Sequence, residues 1–238
     1  MRSVTSGFKS AIRNNAVYSD GYVIIKDGAS FNRTYNSDEL NLIEIMNDIF
    51  KNDTYIGEIG QCALKLNLLG DNTSLLPLDK QLTIEVYLGV LVGASYEYVK
   101  YQDFILLEAK YNETTTQTEI LATDKLVLLN QDFTDTNTYP MTLGNYVESV
   151  VVACGLQLEN KTWLNNDFSL TSQPFPDVYN AREIIRKAAE LAMSFVVINP
   201  NTNKVDFRNF YGKLTTNAFD EEIDENEYTM PTLDTMNS

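Results

Sequence analysis

The sequence predicts an α+β protein in which an antiparallel β-barrel domain is followed by a small α/β domain. Along 62–68 and 82–90, apolar and polar residues alternate strictly, as in strands that have one buried and one wet face. Further along the chain, the apolar residues of 180–192 follow helical spacing and run into a tight pair of strands. We place the barrel domain, with a short N-terminal helix, at 1–131 and the α/β domain, with two helices and a β-hairpin, at 132–211.

The N-terminal part of the chain predicts a short helix and then strands. Segment 5–14 is predicted as a helix, because apolar residues recur on one face and a hydroxyl side chain at its start can cap it. Segment 16–26 is strand-like, and the Asp-Gly pair at 27–28 is a strong turn signal. Segment 39–50 is ambiguous between helix and strand, and the spacing of its apolar residues slightly favours a helix.

Residues 55–129 predict a succession of strands. Besides the two alternating segments, strands are expected at 96–101, 104–111 and 117–122, with turn residues between them. Several short strands at this spacing are typical of a closed or nearly closed antiparallel barrel. The composition changes after Gln131, where a polar linker begins.

Two amphipathic helices are predicted after this linker. The first spans 142–155, where Gly155 occupies the position of a C-terminal cap. The second begins at Asn180, with Glu183 at the spacing of a capping box. A β-hairpin follows at 195–207. The apolar face of the second helix comprises Ile184, Ile185, Ala188, Leu191 and Ala192.

Charge and composition argue against several classes of partner. The 238 residues carry a formal net charge of −15 at pH 7, which disfavours electrostatic binding to nucleic acid or to anionic membranes. No segment approaches the ~18 apolar residues of a membrane span, and the N-terminus lacks the apolar core of a signal peptide. We therefore expect synthesis in a cytoplasm, no membrane partner and no sequence-specific nucleic acid partner.

The search for catalytic chemistry is mostly negative. The chain has no histidine, which removes His-dependent triads and His-containing zinc sites. Cys62 and Cys154 are expected to be small buried apolar side chains, and a disulfide between them stays open. Segment 212–238 is either an acidic tail or the start of a second barrel, and its run at 220–227 lacks the ligand pattern of a calcium loop. We expect no enzyme, no cofactor and no metal, although two carboxylates across a cleft could still form a glycosidase.

Two groups of side chains are candidates for an interaction surface. Tyrosines concentrate on the predicted strands of 87–111, where they could stack against sugars or simply occupy half-buried strand positions. Three basic side chains lie off the apolar face of the second helix and either form its wet face or meet an acidic surface on a neighbouring subunit. The candidate interface residues are Arg182, Arg186, Lys187, Tyr96, Tyr98 and Tyr101.

Taken in order, these segments resemble the N-terminal hub region of tail-associated baseplate proteins of siphophages that infect Gram-positive bacteria, also known as tail endopeptidases or minor structural proteins. The stretches that carry the resemblance begin with GFKSAIRNN and continue through CALKLNL, LDKQLTIEVYLGVLV and YEYVKYQDFILLEAK. They end with TYPMTLGNYVESVVVACGL and NAREIIRKAAELAMSFVVINPNTNKVDF, and together they cover most of 1–210. This family shares a fold with the hub proteins of contractile-phage baseplates.

The resemblance refines the fold prediction. It implies that 39–47 is a strand, against the helical spacing of the same residues. Two features depart from the family pattern: Met193-Ser194 stands where a glycine-rich turn is usual, and the loop at 199–203 lacks the usual glycine. Family hubs contribute two barrels per chain, whereas one complete barrel is predicted here. The chain is therefore expected to be the first part of a longer protein or to lack the second barrel.

The function implied by the resemblance is structural: the baseplate hub of a phage tail tip. Such hubs are homotrimers that close the tail channel and connect the distal tail protein ring to the fibre or spike. The implied partners are that ring, the tape measure protein and downstream receptor-binding modules, and the implied location is the virion of a phage, prophage-derived particle or tailocin. The alternative is a carbohydrate-binding module that contacts the host cell wall through the tyrosine-rich strands. A hydrolase with two catalytic carboxylates is a third hypothesis.

Overall fold

The computed structural model describes residues 5–13, 20–47, 56–77 and 79–209. The predicted strand residues 16–19, the apolar residues of 48–50, Tyr55 and the acidic segment 212–238 lie outside the described residues. In chain order the elements are α1 (Ser6–Arg13), β1 (Asp20–Lys26), β2 (Asn32–Tyr35), β3 (Leu40–Asn47), β4 (Cys62–Leu69), β5 (Thr83–Val92), β6 (Ser95–Asn112), β7 (Gln117–Asp124), β8 (Met141–Thr142), α2 (Leu143–Ala153), β9 (Ser169–Leu170), α3 (Ala181–Leu191), β10 (Ser194–Asn199) and β11 (Lys204–Asn209).

Seven strands form one antiparallel sheet in the order β2-β1-β5-β6-β7-β4-β3. Alternation decides which side chains face inward, so that in β4 every second residue is buried, beginning with Cys62. Inward side chains of β1, β2, β4, β5, β6 and β7 meet in a single core cluster. Because strands from both halves of the sheet share this cluster, the sheet must be strongly curled.

The curled sheet nearly meets itself at a seam, where the edge strand β3 lies beside the start of β1 that extends beyond β2. A Cβ atom built on Gly21 would lie 3.1 Å from Cδ1 of Ile43, although β1 and β3 are not neighbours in the sheet order. A turn joins β2 directly to β3, and in it the Glu39 amide donates to the Asn36 carbonyl at 2.9 Å. Within the described ranges no strand pairing bridges the seam, so the sheet is open by hydrogen bonding and a closed barrel is not found.

The helix that the apolar spacing of 39–50 favours is wrong for 39–47, the part of this segment that the structure describes. These residues form the strand β3, as the family resemblance implies. Strand β3 pairs with β4 along its length, and the side chains of Ile43 and Ile45 pack against the sheet core. Tertiary pairing therefore overrides a local periodicity that fits either structure.

The two strands expected at 96–101 and 104–111 are a single strand, β6. Its register against β5 shifts between Val86 and Tyr87, and a second shift occurs further along, where β6 pairs with β7. Bulges of this kind add a residue on one strand and bend it without ending it. The gap left between the two expected strands therefore falls next to a register shift and not at a strand end.

A second core cluster surrounds α2 and α3, the two helices predicted after the linker. It contains the buried faces of both helices, the inner side of β10 and β11, and two leucines of the 3-10 turn that follows β7 (Leu126 and Leu129). The indole of Trp163 stacks on Phe207 with ring centroids 4.7 Å apart. This cluster lies beside the large sheet, because the 3-10 turn that contributes Leu126 and Leu129 follows directly after β7 of that sheet.

The hairpin β10–β11 is widened on both sides by segments that are distant in the chain. On one side the Gly60 amide donates to the Val196 carbonyl at 2.9 Å, and 57–60 lies parallel to β10 with a bridge between Ile59 and Val196. On the other side the Glu159 amide donates to the Val205 carbonyl at 2.8 Å, in a second parallel bridge. Because 57–60 leads into β4, one continuous segment serves both sheets.

The helix starts are capped by side chains. Oδ1 of Asn180 accepts from the amides of Arg182 and Glu183 at 3.0 and 3.4 Å, as the sequence predicts. At the start of α1, Oγ1 of Thr5 accepts from the Phe8 amide at 3.1 Å and donates to Glu97 on β6 at 2.5 Å. No helix in the described part of the chain is long and apolar enough to cross a membrane.

Two side-chain predictions have different outcomes. Both cysteines are buried, with Cys62 in the sheet core and Cys154 in the helical core, and no disulfide joins them. Leu191, predicted on the apolar face of α3, is 48% exposed. It lies in the last turn of the helix, and Ala189 takes a buried position on the face instead.

Candidate interaction surface

The outer face of strands β1, β5 and β6 carries a group of tyrosines. Tyr22 and Tyr87 lie directly opposite each other, and their rings stack with centroids 4.5 Å apart and 7° between the planes. The Tyr98 ring meets Tyr22 edge-on at 5.1 Å, and Tyr96 lies 6.2 Å from Tyr98. Leu91, opposite Tyr96 across the hairpin, is 50% exposed. We call these five residues the tyrosine face.

Tyr98 lies flat on the sheet because its cross-strand neighbour is Gly89. A Cβ atom on Gly89 would be only 2.7 Å from Cε1 of Tyr98, so the ring occupies the space that a side chain would take. The Tyr98 hydroxyl donates to Asp20 on β1, two strands away. This hydrogen bond, with a smaller contribution from burial, raises the pKa of Tyr98 to about 12. The ring is therefore held at both ends, and 39% of the residue stays exposed.

A row of charges borders the tyrosine face. Glu85 accepts from Lys26 at 2.7 Å and from Lys100 at 2.6 Å, and Lys100 also pairs with Asp103 at 2.7 Å. The Tyr87 hydroxyl donates to the same Glu85 carboxylate at 3.2 Å. Burial alone would raise the pKa of Glu85, but the hydrogen bonds from the two lysines outweigh it and lower that pKa to about 2. At neutral pH Glu85 is therefore ionised, and its ion pairs with Lys26 and Lys100 hold the three side chains in place.

A pocket of about 480 Å³ lies at the seam, and we call it the seam pocket. Aliphatic side chains of β3 and Leu88 line it, together with the polar residues Asp20, Ser37 and Asn41. Asp20 also accepts from the Gly21 amide at 2.8 Å. Because Asp20 both lines the pocket and holds Tyr98, the seam pocket and the tyrosine face share a boundary.

Helix α3 presents its three predicted basic residues in different environments. The Arg182 guanidinium turns inward and donates to the carbonyls of Ile59 at 3.3 Å and Leu126 at 3.5 Å. Burial lowers the pKa of Arg182, although the charge of nearby Asp124 opposes this effect. Arg182 thus fastens α3 to the strand segment before β4 and to the turn after β7. Its position is structural in the chain described here.

Arg186 and Lys187 lie on the outer side of α3. Arg186 donates to Glu183 from Nε at 2.9 Å and also binds Glu190 in the next turn, so its charge is balanced within the helix. Lys187 is partly exposed beside it. Glu183, predicted to complete the capping box, binds Arg186 with its carboxylate.

The structure brings together only some of the predicted interface residues. Tyr96 and Tyr98 share the tyrosine face, whereas Tyr101 lies at the bulge of β6 and packs against the core cluster of the sheet. Tyr22 and Leu91 belong to the face and are absent from the sequence prediction. The alternation in β1 indicates that Tyr22 points outward, but its partner depends on strand pairing.

In chemical terms this surface supports recognition: it offers aromatic rings, fixed charges and a lined pocket. In the ranges that the structure describes, no three cysteine or carboxylate side chains are grouped so that they could hold a metal ion.

Comparison with known proteins gives matches among solved structures only. No protein-family model matches the chain, and no curated protein sequence matches it. Prophage tail protein gp18 from Listeria monocytogenes EGD-e superimposes with a TM-score of 0.50 at 14% identity, over 82% of this chain and 52% of its own. The prophage MuSo2 43 kDa tail protein from Shewanella oneidensis has a TM-score of 0.49 at 11% identity, over 81% and 56%. A tail protein from Neisseria meningitidis MC58 has 0.46 at 9%, over 81% and 52%.

The match to the Listeria protein concerns the fold. It confirms, at that level, the resemblance to phage tail-associated proteins that the sequence stretches indicate. The chain spans about half the length of the solved tail proteins that it matches.

Proposed function

We propose that this chain is a structural component of a phage tail and that it forms the hub of the tail tip. The observation that supports this most directly is the fold that it shares with the Listeria prophage tail protein over most of its length. Because one fold can serve many functions, the proposal also rests on the character of the surface.

The surface of the described residues suits assembly. Leu91, Tyr96 and Tyr98 are each about 40–50% exposed and adjoin one another on the tyrosine face. Aromatic side chains are enriched at the centres of protein interfaces, where they bury a large area at a low entropic cost. The ion pairs around Glu85 would form the polar rim of such an interface.

In this proposal three chains form a ring that closes the tail channel and connects the distal tail protein ring to the fibre or spike. The tape measure protein and downstream receptor-binding modules are the further partners. Tyr96 and Tyr98 contact a neighbour. Lys187, beside the internally paired Arg186, faces the acidic surface that a net charge of −15 gives the neighbouring chain. Arg182 and Tyr101 contribute indirectly. Arg182 holds α3 in position through the Ile59 carbonyl, and Tyr101 holds β6 in position by packing against the sheet core.

Sedimentation equilibrium of the purified chain over a concentration series tests the ring. We expect a native mass three times the 26.9 kDa of one chain, and a central pore in negative-stain images. A monomer at every concentration would contradict the trimer.

The role of the tyrosine face is tested by Tyr96→Asp, which places a charge at the centre of the proposed contact. It should weaken association at least about tenfold, as loss of an interface anchor does. Leu107→Asp is the matched control, because Leu107 is also exposed on β6 but lies at the second register shift, where β6 pairs with β7, and is not part of the tyrosine face. Equal effects of the two variants would remove the tyrosine face from the interface.

A further inference from the structure

The seam pocket has the dimensions of a ligand site. Its volume of about 480 Å³ falls within the range of roughly 300–1,000 Å³ that small-molecule sites occupy. Such sites combine apolar walls with a few placed polar groups. Here the walls come from β3 and Leu88, and the polar groups from Ser37, Asn41 and Asp20.

We propose that the seam pocket, together with the exposed ring of Tyr98, binds a neutral saccharide. This site is additional to the assembly role, and the two share Tyr98: the saccharide takes the part of the ring next to Asp20 and the seam pocket, while a neighbouring chain packs on Tyr96 and the ring edge nearest to it. A sugar ring presents C–H groups on its faces and hydroxyl groups around its edge. The aliphatic walls suit the C–H faces, and the Asn41 amide can both donate to and accept from hydroxyl groups. The Ser37 hydroxyl, which donates to Asp20, can accept from them.

The aromatic contribution comes from Tyr98. Its ring rests on Gly89 with one side, and with 39% of the residue exposed between Tyr22 and Tyr96, part of the ring remains open to a C–H face. Its hydroxyl group donates to Asp20, which lines the pocket, so the ring stands at the pocket boundary in a fixed orientation. A ring held in this way loses little side-chain entropy when a ligand stacks on it.

Charge restricts the class of saccharide. The Asp20 carboxylate lies in the lining, and the chain as a whole carries a net charge of −15. Both would repel a phosphate-bearing or uronic acid polymer. A neutral sugar meets no such penalty.

An inserted peptide strand is the other occupant that a seam between two strands could take. The structure disfavours it, because Ile43 already reaches across to within 3.1 Å of the position of a Cβ on Gly21. A backbone between β1 and β3 would have to displace this side chain, whereas a ligand in the pocket beside it would not.

Saturation-transfer NMR on the purified full chain tests the site, with glucose, galactose and N-acetylglucosamine and their short oligomers as probes and glycerol phosphate as an anionic comparison. We expect saturable transfer to at least one neutral sugar and none to glycerol phosphate. Asn41→Ala and Ser37→Ala should each weaken binding about tenfold, the effect of one lost hydrogen bond. Both residues are exposed, so the fold should survive, which circular dichroism checks. Asn201→Ala, at the exposed tip of the β10–β11 turn, is the matched control and should not change binding.

The proposal is overturned if no sugar shows saturable transfer, or if Asn41→Ala and Asn201→Ala bind equally well. Asn41→Trp would fill the pocket with a bulky side chain. If this variant lowers the sedimenting mass and no sugar binds the parent, the pocket is a contact between chains and the proposal is overturned. A trimer that binds no saccharide contradicts this proposal alone, and a monomer that binds one contradicts the ring alone.

Discussion

Asn203, in the turn between β10 and β11, binds Asp103 on β6 at two points. Its Nδ2 donates to Oδ2 of Asp103 at 2.9 Å, and its Oδ1 accepts from the Asp103 amide at 3.2 Å. Asn203 has a φ of 56°, a left-handed conformation that asparagine tolerates better than most residues. Through this pair the tip of the small hairpin is fastened to the large sheet.

We expect Asn203→Ala to lower the free energy of unfolding by about 2–3 kcal/mol. Two hydrogen bonds are lost at about 1 kcal/mol each, and alanine at a positive φ adds about 1 kcal/mol of strain. Urea unfolding measures the change. Asn203→Gly is the control, because it removes the same hydrogen bonds without the strain and should cost about 1 kcal/mol less. If both variants unfold like the parent, the pair does not fasten the hairpin.

The contact between Gly89 and Tyr98 predicts that Gly89→Ala lowers stability when the Tyr98 ring is present and raises it when the ring is removed. Gly89→Ala alone should destabilise by about 1–3 kcal/mol, because its Cβ would lie 2.7 Å from the Tyr98 ring. In a Tyr98→Ala background the same change should stabilise by about 0.5–1 kcal/mol, since alanine loses less entropy than glycine in a strand. Chemical unfolding of the four proteins gives the coupling. An equal cost in both backgrounds would show that the ring does not rest on Gly89.

Asp124 predicts a pH dependence of stability. The side chain is 1% exposed and accepts from the amides of Cys62 at 2.7 Å and Leu126 at 3.0 Å. Burial raises the pKa of this carboxyl from 3.8 to about 6, against the opposing effect of those hydrogen bonds. The folded state therefore holds the proton more tightly than the unfolded state. The stability that this confers is complete below pH 3.8 and is lost as the pH rises through 6.

A comparison with Asp124→Asn isolates this effect, because the other carboxyl groups titrate in both proteins. The difference in unfolding free energy between the parent and Asp124→Asn should change by about 2–3 kcal/mol between pH 4 and pH 7, in favour of the parent at the lower pH. Guanidinium unfolding at each pH supplies the values. A difference that stays constant across this range would mean that the pKa of Asp124 is not raised.

Replacing the two arginines of α3 with alanine should lower the free energy of unfolding by clearly different amounts. Arg182→Ala should destabilise by about 2–3 kcal/mol, because a partly buried guanidinium that binds the carbonyls of Ile59 and Leu126 is lost. Arg186→Ala should cost less than about 1 kcal/mol, since its ion pairs with Glu183 and Glu190 are exposed. Thermal unfolding of both variants checks the contrast. Similar costs would contradict the structural role assigned to Arg182.

The fold is predictable from sequence where a local pattern has only one interpretation. Strict alternation marks β4 and β5, and the cap at Asn180 with the apolar spacing after it marks α3. Strand β3 is different, because its apolar residues fit a helix equally well and pairing with β4 decides the outcome. The joining of 96–101 and 104–111 into one strand also depends on bulges, which are defined by the register of the neighbouring strands.

The candidate surface is less predictable for the same reason. Tyr96 and Tyr98 fall on one face by their spacing alone, but Tyr22 reaches them only through the pairing of β1 with β5. Arg182 and Arg186 look alike in the sequence pattern. What separates them is the presence of carbonyl groups that lie 56 and 123 residues from Arg182 along the chain. No local pattern carries that information.

The parallel bridge between Ile59 and Val196 affects when the small sheet can form during synthesis and which fragments of the chain can fold. A ribosome releases 57–60 long before it completes β10, so this part of the small sheet can form only late in synthesis. A fragment cut at 132–211 would lack that segment and would expose one edge of β10. Exposed strand edges recruit other chains, so light scattering from such a fragment should grow with its concentration. Any expression fragment of the C-terminal half therefore needs 57–60 supplied with it.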